Sequence, residues 1–361
     1  MAFNHYHAYL QTQEEYLMSS QYVNPSLDWF ENIIGLNIPQ EGEKVELDGC
    51  EYIFKNGILR SSALLSAAQE QTSDTFGFKW SKRDTFEGEA MQDVLRNWLL
   101  EKYGDVTSSS WFKGLGENPV VLDAGCGASN SALVMFDQVL EKIRYIGVDV
   151  SEAVDVAKLR FHEKGIQIGA LQSDLMQLPL PDQSVDLIFS EGVLHHTDDT
   201  KKALKAVNRH LKVGGYFLFY VYRKKGPIRE FTDDYIREKL QNMSPQESWQ
   251  EIKALTALGE TLGDLDIEID IKENIDLLDI PAGTINLQRL FYWHIFKAFY
   301  RPEMTFDEMN HINFDWYAPK NAHRQTLDEV REWCSEIGLS IEHETEELAG
   351  LTIIAKKTDQ L

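Results

Sequence analysis

The chain has 361 residues, 43% of them hydrophobic, enough for a sizeable core and, by length, for two domains or one elaborated domain. Lys and Arg number 35 against 58 Asp and Glu, and the net charge of −23 repels nucleic-acid phosphates and anionic membranes. Three dispersed cysteines (Cys50, Cys126, Cys334) form neither a disulfide framework nor a Cys-x-x-Cys zinc pair, and Met1–Tyr16 lacks a signal peptide's basic and apolar regions, so a reduced, cytoplasmic chain is expected.

In chain order, "IPQEGEKVELDGCEYIFKNGILR" places turn signals at Gly42, Asp48-Gly49 and Asn56-Gly57 around short strands. "TFGFKW" reads either as a lid over a site or as core, through Phe76, Phe78 and Trp80. From Gly88 to Tyr103, Met91, Val94, Leu95, Trp98 and Leu99 make a helical stripe. A regular alternation follows: strand "PVVLDAG", helix Ser129–Lys142, strand "RYIGVDV", helix Ser151–Lys164 and strand "IQIGALQSD". It continues with strand "VDLIFSEG", a helix from Asp198 to Leu211 ended by Val213-Gly214-Gly215, and strand "GYFLFYVY". Strands alternating with helices predict a parallel sheet with both faces covered. After Arg223 comes about a hundred residues of helix-rich, aromatic sequence, whose most apolar block, "LFYWHIFKAFY", is too short to span a bilayer. Thr326 with Glu329 three residues on predicts a capping box opening the final helix, and "SIEHETEEL" and "LTIIAKK" predict a closing hairpin.

The chemistry concentrates in "VLDAGCGASNSALVM". Gly125 and Gly127 let a ligand approach the backbone where a strand turns into a helix, whose N-terminus exposes free N–H groups. Alone, the motif is equally a tight turn. A dinucleotide fingerprint needs Gly or Ala where this chain has Asn130, and Asp123, two residues before Gly125, would crowd a pyrophosphate. Asp149 ends the second strand, where an acid accepts from a ribose diol, and Asp174 ends the third. Three acids, one per strand and in order, are a coherent signal where each alone would be a solvated strand end.

"VLDAGCGAS", "GVDVS", "SDLMQLPLPDQSVDLIFS" and "LKVGGYFLF" together resemble the class I S-adenosylmethionine-dependent methyltransferases, over Pro119–Tyr222 plus the final helix and hairpin. The resemblance implies an α/β, doubly wound Rossmann-like sheet, mostly parallel with an antiparallel C-terminal hairpin strand, carrying an N-terminal extension and a helical insertion. It implies S-adenosylmethionine as cofactor, with Asp123 and the Gly125–Gly127 turn at the methionine end, Asp149 at the ribose and Asp174 with Leu175 at the adenine. Ala124, Asn130, Val150, Ser151, Ser190 and Glu191 complete the expected cofactor contacts. Ser129 stands where many members have a third glycine. "CEYIFKNGILR" and "TFGFKWSKRD" look like the front of bacterial methyltransferases that open with a zinc ribbon, but only Cys50 remains of such a set. His5 and His7 have ligand-like spacing at the terminus, and no metal is expected.

Domains are expected at 1–110 (extension or cap), 111–222 (cofactor-binding core), 223–325 (aromatic substrate cap) and 326–361 (final helix and hairpin). Transfer from a sulfonium requires alignment of the acceptor and, for an O–H or N–H nucleophile, a base. His195 and His196 read as candidate bases or as packed turn residues, with Tyr317 a further catalytic candidate. Arg223, Lys224, Lys225 and Arg229 form either an anion site or a solvated helix start. Trp80, Tyr222, Tyr292, His294 and His323 join Arg223 and Arg229 as candidate acceptor contacts, with Asp315 and Arg324 as further polar candidates. The expected function is methyl transfer to a small-molecule or sugar-like acceptor, with no nucleic-acid or membrane partner. A tRNA- or protein-directed enzyme and a catalytically silent cofactor-binding module are the alternatives. The acceptor, the atom methylated and the oligomeric state, a homodimer among the options, are not specified by the sequence.

Overall fold

A computed structural model describes residues 27–358. Helix α1 (Asp28–Ile34) is followed by strands β1 (Lys44–Leu47), β2 (Cys50–Lys55) and β3 (Ile58–Ser61), then helices α2 (Ala67–Trp80) and α3 (Glu89–Tyr103). The alternating part comprises β4 (Val120–Ala124), α4 (Asn130–Met135), β5 (Arg144–Asp149), α5 (Ala153–Glu163) and β6 (Gly169–Gln172). It continues with β7 (Val185–Glu191), α6 (Thr200–Asn208) and β8 (Leu211–Tyr222). Helices α7 (Pro227–Leu240) and α8 (Pro245–Asp264), the hairpin β9 (Glu268–Ile271) and β10 (Gly283–Asn286), and α9 (Phe306–Tyr317) form the segment after β8. Helix α10 (Leu327–Glu336), β11 (Leu339–Glu346) and β12 (Gly350–Lys357) close the chain.

Ten strands make one sheet in the order β1-β2-β3-β6-β5-β4-β7-β8-β12-β11. Pairing is parallel from β3 through β8, and β12 lies antiparallel against β8. The fold is thus the α/β, doubly wound, mostly parallel arrangement the alternation predicted, with the antiparallel closing hairpin. The period of two sorts each strand's residues onto opposite faces. Leu122, Ile188 and Phe217 pack under α1, α6 and α10. Val121, Leu187 and Leu218 pack with Tyr103, Leu133 and Phe161 on the other face. Both faces are buried, which is why the central strands read as continuous apolar runs.

The N-terminal strands extend the same sheet: β3 pairs parallel with β6, Leu59 opposite Leu171. The turns Asp48-Gly49 and Asn56-Gly57 have positive φ at both central residues (48° and 75°, 57° and 70°), the mirror-image geometry that matches hairpin twist.

Two local expectations are corrected. The first alternating helix ends at Met135, and a 3₁₀ turn covers Asp137–Lys142. Val213-Gly214-Gly215 does not end a helix but lies inside β8, where the β7–β8 register shifts between Val185 and Leu187. "TFGFKW" belongs to the helix α2, capped by Ser66, whose Oγ accepts from Gln69 N at 3.0 Å. The capping box at Thr326 forms as expected, Thr326 N donating to Glu329 Oε2 at 2.7 Å and Glu329 N to Thr326 Oγ1 at 3.3 Å.

The segment after β8 leaves and returns at one place. Gln325 N donates to Tyr222 O at 2.8 Å and Lys224 N to Gln325 O at 2.9 Å, closing its base. It then packs on α2: Gln71 Nε2 donates to Ala318 O at 3.0 Å, and the Phe78 ring lies 5.7 Å from that of Phe314.

Candidate active site

The strand order reverses between β4 and β7, and open parallel sheets bind ligands at the carboxyl edge beside such a switch. A cavity of about 360 Å³ lies there, walled by the strand ends, α2, α3 and the segment after β8. One end is acidic, with Asp149, Asp174 and Glu191 on its wall. The other holds the cations Lys225, Arg229 and Lys297, with the Lys79–Asp315 pair also on the wall.

The acidic end is built by the strand-to-helix turn. Gly125 has φ 86° and Gly127 φ 50°, and a Cβ on Gly125 would come within 2.0 Å of Val193 Cγ1. A Cβ on Gly127 would come within 2.6 Å of Trp80 Nε1, so α2 presses its indole onto the bare turn. Ser129, which stands where many members of the resembled family have a third glycine, takes the left-handed φ of 54°, and its Oγ lies 2.8 Å from the Tyr145 hydroxyl.

Asp149 is held tightly: its carboxylate accepts from Gly127 N (2.8 Å), Ser151 N (2.8 Å) and Ser151 Oγ (2.6 Å). Asp174 Oδ1 accepts from Met176 N at 2.9 Å. Glu191 accepts from Trp98 Nε1 at 2.8 Å and from the Tyr103 hydroxyl. Burial raises the pKa of all three. Acceptors at two adjacent strand ends, an apolar wall including Val150 and Leu175, and a turn with no Cβ fit a nucleoside carrying a cationic amino-acid tail.

The other expected cofactor residues divide. Asn130 lines the cavity and accepts from Gln92 Nε2 at 2.9 Å and Arg160 Nη2 at 3.0 Å. Ala124, Gly127, Ser151 and Ser190 are not on the wall; Ser190 Oγ donates to Ala124 O at 2.8 Å, tying β7 to β4. Asp123 also lies behind the wall, accepting from the Tyr145 hydroxyl. Burial, partly offset by Tyr145, pushes its carboxyl up to about 7.

A carboxyl raised above its unfolded value near 3.8 stabilises the fold below that pH and loses the contribution as pH rises toward 7. Asp123→Asn, which keeps an acceptor for Tyr145, should therefore gain stability over wild type progressively between pH 4 and 7 and level off above. Urea unfolding of both proteins across that range checks this; a pH-independent difference would contradict it.

Of the acceptor-side expectations, Trp80, Tyr222, Arg229, Tyr292 and His196 line the cavity. His196 Nδ1 lies 2.6 Å from Asn321 O, and burial drives its pKa down to about 4, so the ring is neutral at pH 7. His195 is not on the wall: it is fully buried, stacked 3.7 Å from the Tyr222 ring, and neither ring nitrogen has a partner. Tyr317 is buried too, its hydroxyl donating to Asp233 Oδ1 at 2.8 Å and accepting from Lys297 N at 2.7 Å. Arg223 pairs with Glu346 at 2.7 Å away from the cavity, and neither His294 nor His323 reaches the wall. Lys79, Lys297 and Trp293, which the sequence did not single out, do.

Cys50 lies in β2, 3.7 Å from Gln177 Oε1. His5 and His7 lie outside the described residues, among which no group of three or more His, Cys, Asp or Glu is placed to hold a metal. No helix of the described residues is long and apolar enough to cross a membrane.

Residues 122–219 match the family described as methyltransferase domain. With the sheet order and the strand-end acids, this identifies a class I S-adenosylmethionine-dependent methyltransferase domain, with S-adenosylmethionine as its cofactor. Among its relatives is the uncharacterized methyltransferase YcgJ of Bacillus subtilis, 41% identical over 27% of this chain and 38% of that protein. The fatty-acid O-methyltransferase of Mycolicibacterium smegmatis is 28% identical over 42% of this chain and 53% of its own. The Burkholderia thailandensis 1,6-didemethyltoxoflavin-N1-methyltransferase structure aligns with 88% of this chain and all (100%) of that one, at 16% identity and a TM-score of 0.42. The matches to the first three curated relatives span only 36–45% of those proteins' lengths.

Proposed function

We propose that the protein transfers a methyl group from S-adenosylmethionine to a small-molecule acceptor, releasing S-adenosylhomocysteine. The observation that carries this reading is the walled cavity at the sheet's switch point, acidic at one end and cationic at the other. Its walls, contributed by α2 and the segment after β8 as well as by the core, favour a compact acceptor over a folded macromolecule. The net charge of −23 also disfavours tRNA. The name of the fatty-acid O-methyltransferase adds support for a small acceptor. Cytoplasmic placement, expected from the cysteine pattern, belongs to the same proposal.

In this reading Asp149 accepts from the ribose hydroxyls and Asp174 from the adenine amino group, while Val150 and Leu175 cover the base. The Gly125 turn and Glu191 receive the amino-acid end. Bound S-adenosylmethionine supplies an activated methyl on a sulfonium. The chain's residues then align the acceptor and exclude water: Trp80 and Phe76 of α2, with Trp293 and Trp316 of the opposite wall, make the surroundings water-poor. His196, held neutral, is oriented by Asn321.

Two measurements test the proposal. Calorimetry should show S-adenosylmethionine binding and no binding of nicotinamide dinucleotide. Incubation of the protein with a metabolite extract and isotopically labelled methyl donor should then label a small molecule. Donor binding with no labelled product, and label appearing only in protein or RNA fractions, are the results that would reject the small-molecule reading.

A further inference from the structure

The cationic end of the cavity contains one amine with neither a hydrogen bond nor an ion pair among the described residues. Lys79 Nζ pairs with Asp315 Oδ1 at 2.5 Å, and the other Asp315 oxygen accepts from the Tyr222 hydroxyl at 2.9 Å. Arg229 pairs with Asp233 at 2.9 Å, both side chains 2% exposed. Lys225 Nζ donates to the carbonyls of Leu348 and Ala349. Lys297 is different. It is 8% exposed and lines the cavity, yet among the described residues its Nζ makes no hydrogen bond or ion pair. Its Nζ lies 5.0 Å from the centroid of the Trp316 ring.

A buried ammonium without a hydrogen-bonded partner is costly, and chains keep one where something else completes it. The carboxylates around it, Asp315 and Asp233, are hydrogen-bonded to Lys79, Tyr222 and Arg229. The amine also lines the cavity, from which a partner can reach it.

We propose that the acceptor is a carboxylic acid with an apolar body, and that Lys297 receives its carboxylate. This rests on reading the cavity as the methyl-transfer site. The one amine without a hydrogen-bonded partner matches the single charge of a carboxylate. The cavity wall also carries the rings of Phe76, Trp80, Tyr292 and Trp293, which suit an apolar body. Around Lys297 the charged groups are Lys79 and Asp315, Arg229 and Asp233, and Lys225. Burial, opposed by Asp315 and reinforced by Arg229, brings the Lys297 amine down to about 7, so an arriving carboxylate also holds the proton on it.

The test uses protein saturated with S-adenosylhomocysteine and calorimetric titration of phenylacetate, indole-3-acetate and octanoate, each beside its neutral primary amide. At least one acid should bind ten or more times tighter than its amide. Lys297→Met should erase that preference while leaving S-adenosylhomocysteine affinity unchanged, and Lys297→Arg should retain part of it. Lys297→Met should also melt no lower than wild type, because it removes an unpaired buried charge. Acids and amides binding alike, or an acid preference surviving in Lys297→Met, would overturn the proposal. So would an unchanged acid preference accompanied by lost turnover, which would make Lys297 a base. Failure of S-adenosylhomocysteine to bind at all would instead reject the methyl-transfer reading beneath it.

Discussion

Replacing Asp149 with alanine is expected to weaken S-adenosylmethionine binding at least tenfold. The carboxylate sits at the end of β5, 8% exposed, and is aimed by three donors: Gly127 N, Ser151 N and Ser151 Oγ. It therefore does two things at once. It presents acceptor oxygens to the cavity, and it ties the end of β5 to the glycine turn. A hydrogen bond to a charged group contributes about 1.5–3 kcal/mol, and about 1.4 kcal/mol corresponds to tenfold in affinity. Ser151→Ala separates the two roles, since it removes one of the aiming contacts and leaves the carboxylate; its affinity should stay within a few-fold of wild type. Calorimetry on the three proteins decides. Wild-type affinity in Asp149→Ala would remove Asp149 from the cofactor site.

Arg229→Ala should destabilise the protein by about 3–5 kcal/mol, the range for removing one partner of a buried ion pair. From sequence, Arg229 stood in a basic cluster that read either as an anion site or as a solvated helix start, and was a candidate acceptor contact. In the fold it is 2% exposed, paired with Asp233 and donating to Tyr292 O. Asp233 also accepts from Trp316 Nε1 at 2.8 Å and from the Tyr317 hydroxyl at 2.8 Å, so one carboxylate joins α7 to α9 and to the approach to Lys297. Without the guanidinium, that carboxylate is buried with only neutral donors. Any lost methyl transfer in this variant would then report a disordered cavity wall, and Lys297 is the cleaner probe of the acceptor. Urea unfolding measures the effect; a loss below about 1 kcal/mol would show that the pair is not integral to the wall.

Much of the cofactor half was legible in the sequence because its determinants are local. A strand buried on both faces must be a continuous apolar run, as in Val120–Ala124 and Val185–Glu191, and a tight turn into a helix needs bare backbone at Gly125. Asp149 and Asp174 could be placed on one edge of the sheet from sequence because strand ends put them there without help from the rest of the chain. The Thr326 capping box closes over three residues and was equally visible.

The rest of the cavity wall was not, and α2 shows why. The residues it buries are Gln69, Thr72, Thr75 and Lys79, a polar face at helical spacing, which no apolar periodicity could reveal. That face is polar because it borders a cavity and hydrogen-bonds a segment some 240 residues away: Lys79 meets Asp315, and Thr72 Oγ1 accepts from Asn321 N. The same distance separates a basic cluster from its meaning. Arg223, Lys224, Lys225 and Arg229 are equivalent as letters, yet Arg223 pairs with Glu346 on β11, Lys224 with Glu329 at the start of α10, Arg229 with Asp233, and Lys225 with carbonyls beside β12. Local backbone preference and burial period therefore set the sheet and the acids at its strand ends. Which charges remain unpaired inside was decided only by tertiary packing, because pairing is a property of two side chains and burial makes it strong.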